Sequence, residues 1–122
     1  MSERGLLIVH TGCGKGKTTA ALGMLLRSLA HGHRCAVLQF IKGDRPSGEQ
    51  RLLEACERLG GTLEWHRYGA GFTWKSGAEA RNQALARGGW AQAQGILANP
   101  EVRFVLFDEL NSFFRNRVVP WR

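Results

Sequence analysis

A chain of 122 residues, 43% of them apolar, has room for one domain with a buried core and none for a second. Its formal net charge of +7 favours polyanionic partners, either nucleic acid or small phosphorylated molecules at a solvated basic surface, because the basic residues are scattered singly or in pairs. Cys13, Cys35 and Cys56 lie far apart and suggest neither a zinc site nor a disulfide framework; no apolar window is long enough to cross a bilayer, so a soluble protein of the reducing cytoplasm is expected.

Taken in chain order, Leu6–His10 is a continuous apolar run of strand length and predicts a buried parallel strand. Thr11-Gly12-Cys13-Gly14-Lys15-Gly16-Lys17-Thr18-Thr19 follows, and its setting between a strand and a helix is that of a phosphate loop. Its glycines allow a tight turn whose N–H groups, with the helix start, can hold an anion. Lys17 would reach the phosphates and Thr18 would offer its hydroxyl to Mg²⁺; the side chain of Cys13 needs only to be small. Thr11 stands where the strict pattern has glycine.

Leu22, Leu25, Leu26 and Leu29 recur at helical spacing, and Gly32 ends that helix. His31 and His33 at the helix end read as structural. Cys35–Phe40 predicts a second buried strand. Ser47 and Gln50 form a capping box opening a helix with Leu52, Leu53, Cys56 and Leu59, ended by Gly60-Gly61. Thr62–His66 alternates as a third strand. Arg67–Lys75 is a glycine-rich aromatic loop, in which Phe72 and Trp74, taken alone, read as a plug over a sheet edge. Ser76 and Glu79 open a long helix with Ala86, Trp90, Ala93 and Leu97 on one face, Gly88-Gly89 introducing a bend and Asn99-Pro100 stopping it. Val102–Phe107 is a further strand ending in Asp108-Glu109.

This alternation predicts an α/β domain with a mostly parallel sheet flanked by helices. Acidic residues at the carboxyl end of a strand stand where a phosphate loop also lies, so Asp108 and Glu109 are candidate Mg²⁺ ligands, direct or through water. Spacing does not say which of the two touches the metal.

Four stretches together carry a resemblance: Thr11–Gly23, Val37–Gly43 with its Gln39-Phe40-Ile41-Lys42-Gly43, Gly71-Phe72-Thr73-Trp74, and Phe107–Asn111. In these the chain resembles the phosphate-loop corrinoid adenosyltransferases of cobalamin synthesis and salvage, from about Gly5 to Asn111. The resemblance implies a RecA-like fold and transfer of the 5′-deoxyadenosyl group of ATP to Co(I) of a corrinoid, with release of triphosphate. It implies ATP contacts from Gly12, Cys13, Gly14, Lys15, Gly16, Lys17, Thr18 and Thr19, with Lys17, Thr18 and Glu109 at the reaction. Mg²⁺ would be held by Thr18 and Glu109, with Asp108 beside them, and Phe72 and Trp74 would lie against the corrinoid and help remove its lower axial ligand. A flavoprotein-type reductant and a homodimeric assembly are implied as well, with no membrane or nucleic-acid partner. A nucleic-acid-stimulated ATPase on the same fold is the alternative, motivated by the basic charge and four tryptophans.

The family continues beyond Asn111 with further elements, whereas Ser112–Arg122 mixes aromatics and arginines without period. The expectation is therefore a single domain, 1–122, incomplete at its C-terminus, with 112–122 an atypical tail. Such a chain is expected to be poorly soluble or weak in activity, because a sheet without its last neighbours exposes an edge.

Overall fold

The computed structural model describes residues 4–40, 48–56, 61–68 and 78–110, with side chains left undescribed at 56 and 78–86. Six elements follow one another: α1 (Lys17–Ala30), β1 (Arg34–Phe40), α2 (Gly48–Cys56), β2 (Thr62–Tyr68), α3 (Ala78–Ala98) and β3 (Val102–Asp108). The strands form one sheet in the order β2-β1-β3, parallel at both pairings. The predicted α/β class and parallel sheet are therefore observed.

The central strand explains the layering. Every residue of β1 from Cys35 to Phe40 is buried, so it needs cover on both faces, and the pleat sends alternate side chains to opposite sides. Cys35 and Val37 pack with Leu22, Leu25 and Leu29 of α1 and Leu53 of α2. Ala36, Leu38 and Phe40 pack on the other side with Ala93 and Ile96 of α3. Connections between parallel strands pass through α2 and α3, one on each face.

Two expectations about the strands are corrected. Leu6–His10 is not a strand: it joins no sheet among the described residues, and Leu6, Leu7 and Val9 are 85%, 87% and 73% exposed. An apolar run carries propensity, but a strand exists only through hydrogen bonds to a neighbour, and none of the described elements flanks this run. β2 extends past His66 through Tyr68, because register pairing continues to Phe40↔Tyr68 and the two rings stack at 5.5 Å. α3 is the expected long helix and continues through Gly88-Gly89. Gly89 serves packing: a Cβ there would stand 2.6 Å from Cγ of Tyr68.

The predicted faces hold along their centre lines and fail at the flanks. Leu22, Leu25 and Leu29 are buried while Leu26 is 38% exposed; Ile96 is buried where Leu97 was expected. Leu52 is likewise exposed and Leu53 buried. Gly32, with φ of 80°, closes α1 and donates to the carbonyl of Leu29 at 3.0 Å. His33 Nδ1 lies 2.9 Å from Ser28 Oγ, a structural role as expected. Ser47, Leu59, Gly60 and Ser76 lie outside the described residues.

At the amino end of the sheet Arg34 donates to Glu64 of β2 at 2.9 Å and to Glu101, just before β3, at 3.1 Å. These contacts raise the guanidinium further, the Glu64 hydrogen bond most, and Glu64 is held below the usual carboxylate range by Arg34 first and His66 second.

Candidate functional site

The predicted phosphate loop lies at the carboxyl ends of the strands, held there by α1. Gly12, Gly14 and Gly16 have φ of 127°, 131° and 102°, a region that side-chain-bearing residues rarely enter, and open space faces each Cα. Alternate glycines thus let the chain bend tightly over residues 12–15. Gly16 is the N-cap of α1; it supplies no side-chain cap, and the first turn carries no acidic residue. The first amides of α1 and the positive end of its dipole are therefore left for an external anion.

Lys17 folds over this loop. Its Nζ donates to the carbonyls of Gly12 at 2.8 Å and Gly14 at 2.6 Å. An ammonium with carbonyls as partners is a charge held by dipoles, and a phosphate oxygen is the stronger acceptor for it. Lys15, Cys13 and Thr19 are exposed on the same stretch, and Cys13 is a free thiol.

Thr18, the next residue, ties the loop to β3: its Oγ1 donates to Oδ1 of Asp108 at 3.0 Å. Asp108 is only 7% exposed at the last position of β3. Glu109 follows with φ of 62°, so the strand stops there and simple alternation no longer fixes its side chain. A left-handed conformation at a residue with a Cβ costs about 1–2 kcal/mol, a strain that clusters at functional sites. Of the predicted carboxylates, the buried one contacts the loop helix and the exposed one stands beside it. The hydroxyl of Thr18, next to a buried carboxylate and an exposed one, is a hard-oxygen set suited to Mg²⁺, which takes few protein ligands and completes its shell with water and phosphate. Phe72, Trp74 and Asn111 lie outside the described residues.

Two further residues join the site: Gln39, which the sequence marks only as part of the Val37–Gly43 stretch, and Trp65, read only as part of a strand. Gln39 of β1, 3% exposed, donates from Nε2 to Oδ2 of Asp108 at 3.1 Å and accepts from the indole Nε1 of Trp65 at 3.0 Å. The available signal is that Gln39 is polar inside an otherwise apolar, fully buried run. Its register partners are Arg67 on β2 and Asp108 on β3, which places the amide between both neighbours.

On the opposite face, the Tyr68 hydroxyl donates to Oε1 of Gln92, and burial with the Glu64 charge pushes the phenol up to about 12, so it stays a donor. Burial likewise raises the Cys35 thiol and leaves it an inert core residue. Among the described residues no group of three or more His, Cys, Asp or Glu side chains could hold a metal, and no helix is long and apolar enough to cross a membrane.

Comparison with known proteins adds the following. A family profile described as ATP:corrinoid adenosyltransferase BtuR/CobO/CobP matches residues 3–122. A corrinoid adenosyltransferase of Sinorhizobium sp is 43% identical over 113 residues, 93% of this chain and 52% of that protein. Proteins of the same name from Pseudomonas aeruginosa and Escherichia coli K12 are 43% and 44% identical over 89% and 88% of this chain, and 52% and 53% of their own lengths. The chain thus spans about half the length of the curated relatives it matches.

Proposed function

The chain belongs to the ATP:corrinoid adenosyltransferase BtuR/CobO/CobP family, and from that premise we propose that its loop and strand-end residues bind MgATP for transfer of the 5′-deoxyadenosyl group to a corrinoid. In that reaction the electron pair of Co(I) attacks C5′ of the ribose. The cobalt–carbon bond forms as the C5′–O bond breaks, and triphosphate leaves with the bonding pair. Negative charge therefore grows on the leaving chain, and catalysis consists of stabilising it there.

The residues divide that task by their chemistry. Amides of Gly12 to Thr19 cradle the triphosphate, and Lys17 exchanges the Gly12 and Gly14 carbonyls for phosphate oxygens. Thr18 and Glu109 would hold Mg²⁺, which would neutralise charge on the triphosphate, while Asp108 accepts a hydrogen bond from the Thr18 hydroxyl. By the family resemblance, Phe72 and Trp74 would contact the corrinoid and help remove its lower ligand, which would ease reduction of Co(II) to Co(I). Because Co(I) must be generated, a flavoprotein-type reductant belongs to the reading, with a homodimeric assembly and a cytoplasmic location in cobalamin synthesis or salvage. Nucleic acid is not a partner.

The observation that carries the reading is the Thr18–Asp108 hydrogen bond, which joins the start of the loop helix to the end of an acidic strand across 90 positions of sequence. The test is incubation with ATP, Mg²⁺ and chemically reduced corrinoid, followed by the light-sensitive spectrum of a cobalt–carbon bond. Conversion of ATP to ADP, accelerated by DNA or RNA in a salt-dependent way, would replace the transferase with the nucleic-acid-stimulated ATPase.

A further inference from the structure

The line of hydrogen bonds from Trp65 through Gln39 and Asp108 to Thr18 crosses all three strands and ends at the loop helix. Its direction follows from what each group can do. An indole N–H only donates, so the Gln39 oxygen must face Trp65 and its NH₂ must face the other way. There it meets Oδ2 of Asp108, an acceptor. Oδ1 of the same carboxylate accepts a hydrogen bond from the Thr18 hydroxyl. With its proton directed inward, the Thr18 oxygen turns its lone pairs outward toward the loop. A hydroxyl that is to ligate a cation must be oriented in this way.

We propose that Gln39 and Trp65 are positioning residues for the cation-ligating hydroxyl of Thr18, acting through Asp108. The proposal rests on the reading that Thr18 holds the Mg²⁺ of MgATP. Burial argues against a passive role for the amide. Gln39 is 3% exposed in a strand whose other buried positions are all apolar, and burying an amide is unfavourable unless both of its ends are bonded. Here one end is bonded to an indole that cannot reverse, and the other to the carboxylate at the site.

Two variants separate positioning from support of the core. Gln39→Met keeps the chain length and removes both hydrogen bonds; Trp65→Phe keeps a ring and removes only the donor. ATP binding is measured by titration calorimetry on the full chain, in EDTA and at stepped Mg²⁺ concentrations, with far-ultraviolet circular dichroism confirming the fold. Removal of an outer partner of a metal ligand typically costs 10–100-fold in metal affinity. Gln39→Met is therefore expected to raise the Mg²⁺ concentration for half-maximal enhancement by about tenfold or more, Trp65→Phe by a few-fold, with ATP affinity in EDTA unchanged. In a Thr18→Ala background neither change should shift the Mg²⁺ requirement further.

If the unaltered chain binds ATP more tightly with Mg²⁺ and folded Trp65→Phe and Gln39→Met behave like it, the positioning role is wrong and the MgATP site stands. Equal losses in EDTA and in Mg²⁺ also overturn it, because they indicate general support of the loop. If Mg²⁺ does not affect ATP binding to the unaltered chain, the reading of Thr18 fails first and the proposal falls with it.

Discussion

Replacing Gly89 by alanine sets two known effects against each other at one position. The new Cβ would lie 2.6 Å from Cγ of Tyr68 and 2.8 Å from each Cδ, closer than real Cβ contacts come. These atoms sit at the root of the ring and have little freedom to give. The ring is also stacked on Phe40 at 5.5 Å and faces His66 at 6.4 Å, and its hydroxyl is bonded to Gln92 on the same helix as Gly89. Relief requires α3 to lift from the sheet or Tyr68 to leave its rotamer, an overpacking cost of about 1–3 kcal/mol. Against this stands a helix-propensity gain of about 1 kcal/mol. Gly88 meets nothing within 4 Å, so Gly88→Ala takes the gain without the clash. Gly88→Ala should therefore be about 1 kcal/mol more stable than the parent, while Gly89→Ala should lie between equal and about 2 kcal/mol less stable. Urea unfolding with unchanged slope measures the gap between these two neighbouring variants. Coincident midpoints for the two would refute the packing argument.

Lys17→Ala should reduce ATP affinity by about 10- to 100-fold, the worth of a charge-assisted contact, as read by calorimetry; unchanged affinity would remove Lys17 from the site. Glu109→Gln should weaken the Mg²⁺ dependence of ATP binding more than Asp108→Asn, by about tenfold, and the reverse order in a metal titration would make Asp108 the ligand. Phe72→Ala and Trp74→Ala should leave ATP binding intact and slow turnover more from Co(II) than from supplied Co(I); equal losses from both would mean that the rings only shape the pocket. The Glu64 carboxylate, held low by Arg34 and then His66, contributes stability that is complete above its ordinary value of 4.5 and is lost as pH falls through its lower folded value. Glu64→Gln should therefore be less stable than the parent near neutrality, with the difference closing below pH 4.5 in acid unfolding curves.

Much of this architecture is legible in local sequence. Cys35–Phe40 is apolar at nearly every position because β1 is central and covered on both faces, and Leu22, Leu25 and Leu29 repeat because α1 covers one of them. The loop is legible because its glycines occupy the positions that need positive φ. What is not legible depends on partners far away in sequence. The apolarity of Leu6–Val9 says nothing about whether a neighbouring strand is present. The continuation of β2 through Tyr68 depends on Phe40, and Gly89 in turn depends on Tyr68. Gln39 is visible as an odd residue in a strand, but its bonds to Trp65 and Asp108 exist only once three strands are in register. Asp108 and Glu109 differ in burial and backbone although they are adjacent, a distinction made by where the strand stops.

Among the described residues, the loop is tethered from its C-terminal side. After it, α1 is packed into the core and Thr18 is bonded to β3; before it, every residue from Arg4 to Gly16 is exposed, and none of them belongs to a strand. A ligand that must gather such a segment also fixes its backbone, at about 1–2 kcal/mol per residue ordered. Nucleotide binding to this chain would then report two events in one measurement, capture of the phosphates and organisation of the approach to them. Its thermodynamic signature would be a favourable enthalpy opposed by entropy, with a negative heat-capacity change if Leu6–Val9 leaves water in the same step.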